Sequence, residues 1–103
     1  MHIRNSNKKK FRAIGHLLNP VVIISQKGLT KNVEKEINRA LDRHELIKVK
    51  VIATTRTVKK ELTSQICSRL SAECIQSIGH IILIYRAAKN PDPKLSNLIR
   101  KLA

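Results

Sequence analysis

The sequence predicts a single small α/β domain of order αβαβαββ, with a four-stranded mixed sheet, followed by a short C-terminal helix. Three observations carry this reading. Short β-branched runs alternate with longer segments whose apolar residues recur every three or four positions, the pattern of strands joined through helices. The last two runs, Cys74–Ile78 and Ile81–Tyr85, are separated only by Gly79-His80, which makes them an antiparallel hairpin with a type II′ turn. A length of 103 residues with 42% apolar content supports one modest core and leaves no room for a second domain. Strands joined through a helix tend to be parallel, so the sheet is expected to be mixed, with helices chiefly on one face.

The first helix is read at residues 8–18, where Phe11, Ile14, Leu17 and Leu18 share a face, Gly15 is a weak point and Asn19-Pro20 stops the helix. Val21–Ile24 is an apolar run that suits a strand covered on both faces. Thr30 is a candidate N-cap for a helix that places Val33, Ile37, Ala40, Leu41 and His44 inward and Lys31, Glu34, Lys35, Arg39 and Asp42 outward. Residues 46–53 alternate, with Ile47, Val49 and Val51 on one side and a cationic second face of Lys48 and Lys50. After the polar break Thr55-Arg56-Thr57, Val58, Leu62, Ile66 and Leu70 repeat at i+4 and define a third helix ending near Leu70. Asp92-Pro93 opens the C-terminal helix, with Leu95, Leu98, Ile99 and Leu102 on one face. Packing on its own domain and docking to a protein partner are both open to that helix. The organisation is therefore a basic extension at 1–7, a core domain at 8–88 and a linker with amphipathic helix at 89–103.

Twenty-one Lys and Arg against seven Asp and Glu give a net charge of +14, which favours polyanionic partners, nucleic acid first. The excess is concentrated at the ends: Arg4, Lys8, Lys9, Lys10 and Arg12 at the start and five basic residues against Asp92 after residue 85. These ends are either solvated tails or extensions of a phosphate-contacting surface. Phe11 and Tyr85 are the sole aromatic residues, so a sheet that stacks successive bases on aromatic rings is disfavoured. Cys67 and Cys74 lack zinc-site spacing and are expected to be reduced, half-buried packing residues. His2, His16, His44 and His80 are scattered, without metal-ligand spacing, and no nucleophile elbow, phosphate loop or carboxylate pair is visible. The adjacent His44-Glu45 is the nearest approach to a catalytic pair. The expectation is a cytoplasmic, monomeric, non-enzymatic protein without cofactor, metal or membrane span.

Two constellations could contact nucleic acid. The loop Ser25-Gln26-Lys27-Gly28 joins a strand to a helix N-terminus, where unpaired backbone N–H groups and the helix dipole favour phosphate, and where Lys27 and Lys31 add charge. Gly28 there is either a turn residue needing positive φ or a point of close backbone approach to a sugar-phosphate chain. Lys48 and Lys50, roughly 6–7 Å apart along one strand face, are either solvated or placed to meet successive phosphates.

The segments Gly15–Ile24 (GHLLNPVVII), Gly28–Thr30, His44–Val51 (HELIKVKV) and Gln76–Arg86 (QSIGHIILIYR) resemble the CRM domain found in YhbY-like bacterial proteins. The resemblance covers residues 8–86. It implies a domain akin to the C-terminal domain of bacterial translation initiation factor three, binding RNA through a GxxG loop and adjoining basic surface, in a protein that associates with precursors of the large ribosomal subunit. Carried over by position, it assigns the RNA-binding loop to Ser25, Gln26, Lys27 and Gly28, the strand lysines to Lys48 and Lys50, and the terminal motif to Tyr85 and Arg86; Lys31, on the helix after the loop, joins Ser25–Gly28, Lys48, Lys50 and Arg86 as an RNA-binding candidate, with specificity expected from RNA shape. This chain departs from the family at Ser25, where the loop usually begins with Gly. A general nucleic-acid or chromatin-type coating protein is the alternative that the basicity also allows.

Overall fold

The computed structural model describes residues 5–52, 55–90 and 96. Within them the chain runs α1 (Asn5–Gly15), β1 (Pro20–Ile24), α2 (Lys31–His44), β2 (Leu46–Val51), α3 (Arg56–Leu70), β3 (Glu73–Ile78) and β4 (Ile81–Tyr85). The strands form one sheet in the order β1-β2-β4-β3. β1 lies parallel to β2, and β4 is antiparallel to both β2 and β3, so the sheet is mixed as the sequence predicts. The expected C-terminal helix falls outside the described residues. α1 begins at Asn5, within the segment read from the sequence as a basic extension.

The helices do not gather on one face. α2 and α3 cover one side, where Ile37, Leu41 and Ile66 are fully buried against Ile24, Val49, Val51, Ile82 and Ile84. α1 covers part of the other, with Phe11 and Ile14 packed on Leu46, Ile75 and Leu83. The second side of β2 is therefore mixed: Leu46 is buried beneath α1, while Lys48 is half-buried and Lys50 exposed. Each fully buried aliphatic side chain contributes about 1.5–3 kcal/mol, so even the smaller α1 layer adds materially to stability. β1 is also not covered on both faces. Val22 and Ile24 are buried, but Val21 is 50% and Ile23 58% exposed, because α1 does not reach over this edge of the sheet.

Local chemistry sets the element ends. The Thr30 hydroxyl accepts the Val33 N–H at 3.2 Å and the Thr55 hydroxyl accepts the Val58 N–H at 3.1 Å, so two threonines start α2 and α3 as N-caps. α3 closes at Ser71 in the left-handed region (φ 53), with the Ala72 N–H donating to the Cys67 carbonyl. α2 closes at Glu45 (φ 63), whose buried carboxylate accepts the Ala88 N–H at 2.9 Å and the Ser96 hydroxyl at 2.7 Å. Glu45 thus ties the chain after β4 to the α2–β2 junction.

α1 starts and stops three residues earlier than expected. It ends at Gly15, followed by i→i−3 bonds from Leu17 and Leu18, and Leu17 is 71% exposed rather than core. Gly15 is a packing requirement rather than a weak point: a Cβ there would lie 2.6 Å from a methyl of Leu83, so glycine lets the helix descend onto β4. At the hairpin, Gly79 takes φ +55 and Ile78 pairs with Ile81, matching the expected turn. β3 carries an irregularity between Cys74 and Gln76 that the sequence does not announce.

Candidate nucleic-acid interface

β1 and β2 are parallel and each leads into a helix, so the N-termini of α2 and α3 emerge at the same end of the sheet. The β3–β4 turn closes that end, with the Val51 N–H donating to the His80 carbonyl at 2.6 Å and the Ile52 N–H to the Ile24 carbonyl at 2.9 Å. Ligands of open α/β sheets bind beyond the carboxyl ends of the parallel strands for this reason: helix N-termini and connecting loops converge there.

The loop between β1 and α2 is a compact turn. The Ser25 carbonyl accepts the Gly28 N–H at 2.9 Å, the Ser25 hydroxyl lies 3.4 Å from the Lys27 N–H, and the Gly28 carbonyl accepts the Thr30 N–H at 3.1 Å. Gly28 has φ +81, a conformation costly for any residue with a Cβ, and a Cβ there would meet only a Leu62 methyl at 3.8 Å. The turn requirement for glycine is therefore present in the fold, and the space beside Gly28 is open apart from the Leu62 methyl. Ser25, where the resemblance leads to an expectation of glycine, is exposed and turns its hydroxyl toward the Lys27 N–H of its own turn. Gln26 and Lys27 are exposed, and Lys31, the first residue of α2, is exposed beside them. The Lys27 and Lys31 ammonium groups thus add to the positive end of the α2 dipole.

The remaining expected residues are spread more widely. Lys50 pairs in register with Ile23 of β1, one residue before β2 ends, and so lies at the loop end but on the α1 side of the sheet. Lys48 is further in on that side and lines a depression of about 190 Å³ with His16, Gln76, Ile78, Ile81 and Leu83. Arg86 lies at the opposite end, directly after β4, where Tyr85 pairs with Leu46. Its guanidinium donates to the Asn38 side-chain oxygen (2.7 Å), the Asn38 carbonyl (3.0 Å), the Leu70 carbonyl (3.0 Å) and Asp42 (2.7 Å). Only 18% of its side chain is exposed. Arg86 is a clamp joining α2 and the end of α3 to β4, and its fork is spent on the protein. The loop, Lys31 and Lys50 come together at one end, and Arg86 does not join them.

Sequence reasoning missed Arg56 at this end. It opens α3 and is exposed, directly after the Thr55 cap. The signal was available, since the same strand-to-helix logic that placed the Lys27 loop at a helix N-terminus also applies to the β2–α3 crossover. Among the described residues no group of three or more His, Cys, Asp or Glu could hold a metal ion, and no helix is long and apolar enough to cross a membrane.

The fold defines a small α/β domain that brings the N-termini of α2 and α3 to one end of the sheet, with Lys27, Lys31 and Arg56 exposed there. Comparison with protein families matches residues 3–86 to the CRS1 / YhbY (CRM) domain, and the chain belongs to that family. It is 41% identical over 100 residues to a Pseudomonas aeruginosa protein named "probable RNA-binding protein", covering 97% of this chain and 96% of the relative. It is 39% identical over 87 residues to a Haemophilus influenzae protein named "RNA-binding protein", covering 84% and 88% of the two chains. The solution structure of a hypothetical protein from Staphylococcus aureus superposes with a TM-score of 0.76 at 32% identity, covering 86% of this chain and 93% of that one.

Proposed function

We propose that this protein binds structured RNA within precursors of the large ribosomal subunit, as a monomeric, cytoplasmic assembly factor that catalyses no reaction. The observation that carries the reading is the convergence of the Ser25–Gly28 turn, Lys27 and Lys31 on the N-terminus of α2, with Gly28 at positive φ and open space beside it. Backbone N–H groups and ammonium groups in this arrangement fit phosphate oxygens, with Lys50 and Arg56 extending the surface to either side of the sheet end. The names carried by relatives similar over nearly the whole chain support RNA as the polyanion. Few aromatic rings and many point charges suit recognition of the shape of a folded RNA more than of splayed bases.

The test is titration of fluorescent rRNA stem-loops and of duplex DNA of equal length at several salt concentrations. The reading predicts tighter binding to RNA, and a salt slope that falls by about 0.7–0.9 for each of Lys27 and Lys31 replaced by alanine. Equal affinity for both polymers, insensitive to these two lysines, would instead describe a general nucleic-acid coat.

A further inference from the structure

A second basic feature lies away from the loop, between α3 and β3. A groove of about 770 Å³ runs between them, lined by Arg56, Lys59 and Lys60, by the hydroxyls of Thr63, Ser64 and Ser77, and by Cys67, Ala72 and Cys74. Its volume falls in the range of small-ligand sites. β3 is an edge strand, so the groove is open along its length. Lys59 is held over it by a hydrogen bond from its ammonium group to the Gly79 carbonyl. The acid on its wall, Glu73, is paired with Lys8 at 3.7 Å. The lining is therefore cationic at one end, rich in hydroxyls along one wall and apolar where Ala72 and the two thiols face it. Burial pushes the Cys67 thiol up to about 11, with Cys74 and Glu73 adding to the effect, and burial also raises Cys74, so both remain neutral at physiological pH. Arg56 belongs both to the basic end of the sheet and to the mouth of the groove, which makes the two surfaces continuous.

We infer that the α3–β3 groove holds a single-stranded nucleotide segment flanking the structured RNA bound at the Ser25–Gly28 end. Phosphates meet Arg56, Lys59 and Lys60; a base rests against Ala72, Cys67 and Cys74; and the hydroxyls of Ser64 and Ser77 meet its polar edge, while Thr63, whose hydroxyl donates to the Lys59 carbonyl at 2.8 Å, can only accept there. The choice of a nucleic-acid strand rests on charge complementarity and on continuity through Arg56. The inference builds on the proposed RNA-binding function and assigns the RNA a feature that function alone does not require, an unpaired flank.

The experiment uses the full chain, an RNA stem-loop with a blunt end and the same stem-loop with a short oligouridine flank. The flank is expected to tighten binding by roughly tenfold. It should also slow alkylation of Cys67 and Cys74 at mildly alkaline pH, whereas the blunt RNA should not. Lys60→Ala combined with Ser64→Leu, both at exposed positions of α3, should abolish the gain from the flank and leave blunt-end affinity and the circular-dichroism melt unchanged. Lys27→Glu should weaken both RNAs alike. A flank that adds no affinity and gives no thiol protection, while the blunt RNA still binds, overturns the groove site alone. Loss of binding to both RNAs by the unmodified protein overturns the RNA-binding function itself.

Discussion

Arg86 separates a structural from a binding role most sharply, because its four hydrogen bonds are visible and its family position suggests RNA. Replacing it by alanine removes bonds to the Asn38 side chain and carbonyl, the Leu70 carbonyl and Asp42. The bond to Leu70 is part-buried and charge-assisted, worth about 1.5–2 kcal/mol, while the three more exposed contacts contribute about 0.3–0.5 kcal/mol each after solvent screening. The expected loss is about 2.5–3.5 kcal/mol, a fall of roughly 10–25 °C in melting temperature for a domain of this size. Arg86→Lys retains the charge but not the fork, so it should recover less than half of the loss. Denaturant unfolding measures both variants, and RNA titration under conditions where each is fully folded measures binding. The slope of log affinity against log salt should equal that of the unsubstituted protein. A variant with unchanged stability and a slope smaller by about 0.7–0.9 would refute the clamp and make Arg86 a phosphate contact.

Three further outcomes follow from particular residues. Gly28→Ala should cost about 1–2 kcal/mol, from the positive φ alone because the added methyl finds open space, and denaturant midpoints check it; an unchanged midpoint would mean the turn is not held. Gly15→Val should destabilise by about 1–3 kcal/mol through overpacking against Leu83, without altering the RNA salt slope of the folded protein. Because the Cys67 thiol titrates near 11 in the folded state, against 9.0 ordinarily, the folded protein holds a proton that the unfolded chain releases. The resulting stabilisation is present below pH 9 and is lost as pH rises towards 11, and it should be absent in Cys67→Ala, as melts across that range would show.

The elements most legible in the sequence were those with strong local chemistry. Thr30 announces α2, and Gly79-His80 sets the hairpin between two β-rich runs, whereas Thr55 reads only as part of a polar break and its capping of α3 emerges from the fold. What local pattern could not reveal was which face each element covers. Phe11 and Ile14 define an apolar stripe, but nothing in that stripe says that it packs on Leu46 and Leu83, opposite α2 and α3. The run Val21–Ile24 looks like a strand buried on both faces because apolar residues are continuous, yet α1 stops short of it and leaves Val21 and Ile23 exposed. The same limit applies to the site. The position of the Lys27 loop before a helix is local information and is readable, whereas the placement of Arg86 at the far end of the sheet depends on the antiparallel pairing of β4 with β2. Arg56 comes to the loop end only through the parallel pairing of β1 and β2.

Engagement of large-subunit precursor RNA by the loop end is read out by sedimenting extracts of cells that carry the tagged protein through a gradient. The same is done for a Lys27→Glu/Lys31→Glu variant, both positions being exposed and outside the core. The unsubstituted protein should co-migrate with large-subunit precursors, and the folded variant should move to the top of the gradient. Migration of both proteins at the top, or co-migration that the two substitutions leave intact, would contradict that engagement.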